Sequence, residues 1–61
     1  MQSYRVYWLD REGRIRRGDW LEAEDDDAHN KASYLCDDRT DSIQVWQAAR
    51  RVDEIECHEA D

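Results

Sequence analysis

Hydrophobic positions fall along this chain in four short runs and one spaced stripe. The first run, Tyr4-Arg5-Val6-Tyr7-Trp8-Leu9, is dense in aromatic and β-branched residues and predicts a strand over 4–9. Asp10-Arg11-Glu12-Gly13-Arg14 follows. Aspartate suits the start of a type I turn, and Gly13 can take the left-handed conformation that closes a short hairpin. The chain is then expected to return through Ile15 to Ala23, with Gly18 as a bulge or kink. Ala28, Ala32, Leu35 and Cys36 fall at i, i+4, i+7 and i+8, the narrow stripe of a helix. It should begin in the acidic run Glu24 to Asp27, with Glu24 or Asp25 as its cap, and end near Asp37 or Asp38. Ile43, Val45 and Trp46 predict a third strand over 42–47. Ala48-Ala49-Arg50 reads as a turn and Arg51 to Cys57 as a fourth strand. There the three-residue spacing of Val52 and Ile55 breaks the period of two and points to a bulge or an edge position. The tail from His58 is expected to fray.

These elements make one α+β domain over 1–61: ββαββ, an antiparallel sheet in the order 2-1-3-4, and one helix packed on one face. A chain of 61 residues hides only ~60% of the surface it exposes unfolded, so its core is marginal and an extra stabilising device or a partner is expected. The net charge of −7 is unevenly placed. Residues 1–21 carry five arginines against three acids, and residues 22–41 carry eight acids against Lys31 and Arg39. Net negative charge disfavours nucleic acid, whose affinity needs clustered cations, and disfavours anionic membrane surfaces. No run approaches the ~20 apolar residues of a membrane span and no signal peptide is visible. A cytoplasmic protein with Cys36 and Cys57 both as free thiols is the expectation.

The pattern Tyr4-Arg5-Val6-Tyr7, Leu9-Asp10, Gly13 and Ile15, an acidic helix start, then Val45-Trp46-Gln47 and Ala49-Arg50-Arg51-Val52 resembles a group of short, uncharacterised bacterial proteins. They share an aromatic first hairpin and a Trp-Gln-Gly-x-Arg-like second one. The resemblance spans most of residues 4–55 and implies a structural pattern, with no activity to transfer. Ala48 departs from it, standing where the pattern has glycine.

Chemistry-bearing groupings are few. Glu22, Glu24, Asp25, Asp26 and Asp27 lack the alternation and the glycine of a calcium loop, and read as capping and solvated charge. Cys57, His58, Glu59 and Asp61 are adjacent ligand types without the spaced pairs that zinc uses, and Cys36 and His29 could join them only if the tail folded back. His29 and Cys36 are two helical turns apart, beyond direct hydrogen-bond reach on a straight helix. No metal, no cofactor and no catalytic residue are expected. Arg5, Arg11, Arg14, Arg16 and Arg17 near Trp8 and Trp20 could form a single-strand nucleic-acid surface, against which stands pairing with the abundant acids.

The tryptophans carry the functional expectation. By alternation, the aliphatic set suits the face under the helix, which leaves Val6, Trp8, Trp20 and Trp46, with Tyr4 and Val52, on the other. An uncovered aromatic face of that kind marks an interaction surface. The alternatives are that the tryptophans are core, or that arginine and glutamine stems cover them. The expected function is a non-enzymatic interaction module, a homodimer or an adaptor for another protein. An acidic inhibitor or nucleic-acid mimic that fills a basic groove is the second reading.

Overall fold

The computed structural model describes residues 1–57, so the expected fraying from His58 and the ligand types His58, Glu59 and Asp61 lie outside the described residues. Five elements occur in the order β1 (Gln2–Leu9), β2 (Ile15–Ala23), α1 (Ala28–Ser33), β3 (Ser42–Gln47) and β4 (Arg50–Glu56). The four strands form one antiparallel sheet in the order β2-β1-β3-β4, as the sequence predicts.

The first turn is built by Asp10. Its Oδ1 accepts the backbone N–H of Glu12 and of Arg14 at 3.0 and 2.9 Å. Gly13, at φ 82°, donates its own N–H to the Asp10 carbonyl. Only a residue without Cβ takes that φ cheaply. The irregularity in this hairpin falls at Arg16, not at Gly18. Leu9 pairs with Ile15 and Trp8 with Arg17, so Arg16 is the extra residue, whereas Gly18 pairs regularly with Tyr7. Gly18 serves a different purpose, because a Cβ there would lie 3.2 Å from the Tyr7 ring.

The helix is shorter than the stripe implies. It stops at Ser33, whose hydroxyl donates to the Asn30 carbonyl, and the chain tightens through Tyr34 N–H to Lys31 and Leu35 N–H to Ala32. The Leu35 carbonyl instead accepts the Trp8 indole N–H at 2.9 Å. Beyond it Asp37 builds a turn, taking the Thr40 hydroxyl at 2.7 Å and the Arg39 N–H at 2.9 Å. Those two bonds, the Thr40 hydroxyl first, lower the pKa of the Asp37 carboxyl from 3.8. Their contribution is therefore complete above the ordinary carboxylate range and is lost as pH falls through the lowered value. The stripe still faces the core: Ala28 and Ala32 are buried, and Leu35 and Cys36 pack against them. Neither Glu24 nor Asp25 caps the helix. Asp27 holds that position, with no side-chain bond to the helix, and Asp25 is drawn away to accept the Tyr4 hydroxyl.

Cys36 and Cys57 form a disulfide, with Cα atoms 5.4 Å apart, that ties the segment after α1 to the end of β4. The expectation of two free thiols is corrected. Register brings the two cysteines together: Cys57 follows β4 directly, and its N–H donates to the carbonyl of Asp41, the residue just before β3.

In the second hairpin Val45 pairs with Asp53 and Trp46 with Arg51, which leaves Val52 as the bulge the spacing predicts. Ala48 turns the chain at φ 55°, a conformation that costs an L-residue roughly 1–2 kcal/mol. Ala48→Gly should therefore stabilise the fold by about 1 kcal/mol after the added freedom of the unfolded chain is counted. A urea midpoint that falls on this substitution would show that the turn is not strained at Ala48.

The core lies between the sheet and α1. Tyr4, Val6 and Trp8 of β1 sit there beside Ile43, Val45, Ile55, Ala23, Ala28 and Ala32. Tyr4, Val6 and Trp8 were expected on the uncovered face, and that assignment is corrected. Val6 pairs with Val45 and Trp8 with Ile43, so the even-numbered residues of β1 share the aliphatic side. Their polar ends are satisfied inside. Tyr4 donates to Asp25, Trp8 donates to Leu35, and the Arg17 guanidinium lies 4.1 Å from the Trp8 ring centroid, shielding it from water.

Candidate functional site: the open sheet face

The other face of the sheet is covered by no element among the described residues. Cross-strand pairing fixes its membership. Arg5 lies opposite Trp20 on one side and Trp46 on the other, and Trp46 lies opposite Arg51. Directly paired residues of antiparallel strands point to the same face, so Trp20, Arg5, Trp46 and Arg51 form one row across all four strands. The next row is Gly18, Tyr7, Gln44 and Glu54. Of the six residues expected on an uncovered face, the structure brings Trp20 and Trp46 to this one, makes Val52 the bulge of β4, and places Trp8, Val6 and Tyr4 in the core on the helix side.

The face is aromatic, partly organised and nearly neutral. Trp20 is 65% exposed, whereas Tyr7 and Trp46 are half-buried. The Arg5 guanidinium stands 5.1 Å from the Trp20 ring centroid and 5.7 Å from that of Tyr7, so its stem and head lie along the rings. Trp46 donates its indole N–H to Gln44 Oε1 at 3.0 Å, Gln44 reaches Glu54 at 3.4 Å, and Arg51 pairs with Glu54 at 3.8 Å. Side chains are thus pre-positioned by neighbours on the same face. Arg5 and Arg51 stand against Glu22, Glu54 and Glu56, a balance of about −1, while much of the net negative charge sits in the turns around α1.

Arg5, Tyr7, Gln44 and Arg51 are the members that the sequence reading missed. The signal for two of them was present: Gln44 stands two residues from Trp46 on the same strand, and Arg51 follows once the Val52 bulge is placed. The basic residues do not form one patch. Arg5 belongs to the open face, Arg17 covers Trp8 on the helix side, and Arg14 pairs with Glu12 in the turn.

A second cluster lies between α1 and β4. His29 pairs with Asp53, and Tyr4 with Asp25, in a shallow cleft also bordered by Gln47 and Arg50. A histidine–carboxylate pair can move a proton, but Cys36 is committed to the disulfide and supplies no nucleophile. No group of three or more potential metal ligands converges among the described residues. The Tyr4 phenol is pushed up to about 12 from 10.0, first by its hydrogen bond to Asp25, then by burial. Its bond supports the fold fully below pH 10 and is lost as pH rises through about 12. Absorbance at 295 nm should show one phenol ionising only near pH 12, and Asp25→Ala should move that step to lower pH. An unchanged late step in the variant would assign it to another cause.

No family model matches the chain, and no curated protein and no solved structure matches it either. No helix among the described residues is long and apolar enough to cross a membrane.

Proposed function

We propose that this protein is a small non-enzymatic interaction module that docks through its open aromatic sheet face, and that its first partner is a second copy of the chain. One observation carries this reading: a single six-residue helix covers one side of a four-stranded sheet, and the other side presents Trp20, Tyr7 and Trp46 around Arg5. Each tryptophan offers ~150–250 Å2, so burying two removes a few hundred Å2 of apolar surface. At ~25 cal/mol per Å2 that is several kcal/mol before association costs. The near-neutral charge of the face supports a like partner over a strongly basic one. Light scattering on a gel-filtration column should find wild type above single-chain mass at micromolar concentration. Trp46→Ser and Trp20→Ser should each weaken association about tenfold or more, as truncation of a buried aromatic anchor does. Variants that associate as tightly as wild type would remove the face from the interface.

The acidic turns favour a second reading. Glu24, Asp25 and Asp26, with Asp37 and Asp38, are exposed and lie off the open face, where they could enter a basic groove of another protein. Retention of the protein on a basic target, abolished by neutralising Asp25 and Asp26 and untouched by Trp20→Ser, would support that role. The sequence reading also places the protein in the cytoplasm. Disulfides persist in oxidising compartments, so that address fits only a protein whose Cys36 and Cys57 are found as thiols in the cell.

A further inference from the structure

The row Trp20, Arg5, Trp46, Arg51 alternates aromatic and cation across the whole sheet, and read backwards it alternates cation and aromatic. Two copies stacked face to face can be related by either of two in-plane two-fold axes centred on that row, and the row separates them. An axis perpendicular to the strands lays each strand over its own copy, so Arg5 meets Arg5 and Arg51 meets Arg51. An axis parallel to the strands lays β2 over β4 and β1 over β3 of the other copy. Then Arg5 meets Trp46, Trp20 meets Arg51, and the two-fold repeats both pairs. We infer that the protein forms an isologous dimer about the axis parallel to the strands, closed by four reciprocal arginine–tryptophan contacts. This inference rests on the docking reading above and specifies its geometry.

The neighbouring row agrees with the same axis. Tyr7 of one copy falls opposite Gln44 of the other, and Glu54 falls opposite Gly18, which projects no side chain against it. Face-to-face sheets pack ~10 Å apart with strands within ~30° of alignment, a spacing that brings long side chains from both copies into contact. The two longer dimensions of the molecule, 32 and 22 Å, set the scale of such a face at roughly 700 Å2 per copy, near the ~800 Å2 of a standard interface. Arginine over tryptophan is favourable and strengthens on desolvation, whereas like charges set opposite each other are penalised. Charge alternation thereby selects one axis over the other.

Swapping one pair tests the axis. Trp46→Arg sets Arg5 against a new cation in both halves and should weaken the dimer by about 100-fold or more. Adding Arg5→Trp makes the row Trp, Trp, Arg, Arg, which is again self-complementary about the parallel axis alone, and should restore affinity to within about tenfold of wild type. As a second readout that leaves the row intact, benzoylphenylalanine at position 44 should photocrosslink to β1 of the other copy, around Tyr7. A dimer that the double exchange fails to rescue, although both variants melt cooperatively, overturns the axis and leaves the docking reading standing, as does crosslinking to β3. If the variants do not fold, the crosslink alone decides. Wild type that stays at single-chain mass overturns the axis and the homodimer together, and leaves the face to a different kind of partner.

Discussion

Trp8→Ala should destabilise the folded chain by about 3–5 kcal/mol, the usual cost of emptying a buried tryptophan site, whereas Trp20→Ala should cost under about 1 kcal/mol in the monomer. Trp8 is 3% exposed and Trp20 is 65% exposed. The larger loss has two parts. The cavity would open between Val6, Ile43 and α1, and the Leu35 carbonyl would lose the indole N–H that holds the chain after the helix. A domain of this size has only about 3–9 kcal/mol in hand, so Trp8→Ala should remove a third or more of that margin. Urea titration followed by far-ultraviolet circular dichroism measures both. If Trp20→Ala proved the costlier change, Trp20 and not Trp8 would be the core residue.

Reduction of the Cys36–Cys57 disulfide should cost about 3 kcal/mol, since the crosslink spans 21 residues and constrains the unfolded chain accordingly. For a domain this small that is a fall in melting temperature of roughly 12–24 °C. The loop it closes contains the whole of β3 and β4, half of the sheet. Thiol titration of unreduced, denatured protein should find no reactive group. Melting with and without dithiothreitol, and of Cys36→Ser with Cys57→Ser, should give the same loss by either route. Two titratable thiols and a melting curve indifferent to reductant would return both residues to the free state that the sequence alone suggests.

Much of this fold is written in local signals. Asp10 and Gly13 announce the first turn, the spacing of Val52 and Ile55 announces the second bulge, and Ala28 and Ala32 mark the covered side of the helix. The face of β1 was not legible for a specific reason. Alternation along β1 separates Tyr4, Val6 and Trp8 from Arg5, Tyr7 and Leu9 but does not say which set lies beside the tryptophans of β2 and β3. Cross-strand register decides it, setting Arg5 against both Trp20 and Trp46. A shift of one residue turns every side chain of a strand to the other face. Gly18 drew the bulge in the sequence reading because glycine often marks one, but here it makes room for the Tyr7 ring. The disulfide was hidden for a similar reason. Two cysteines 21 residues apart say nothing of pairing until the register of β3 with β4 brings the chain end back beside the segment after α1. The helix stop at Ser33 is likewise followed by a long-range bond, from the Trp8 indole to the Leu35 carbonyl, that no local signal announces.

Trp20 and Trp46 remain where the sequence placed them, on the uncovered face, and they are joined there by Arg5 and Tyr7. The functional proposal depends on that face being used. Sedimentation equilibrium of the unmodified protein, from one to a few hundred micromolar, tests it most directly. A mass that rises with concentration to twice 7.4 kDa and levels there is the expected result, and a constant 7.4 kDa over the whole range would contradict it.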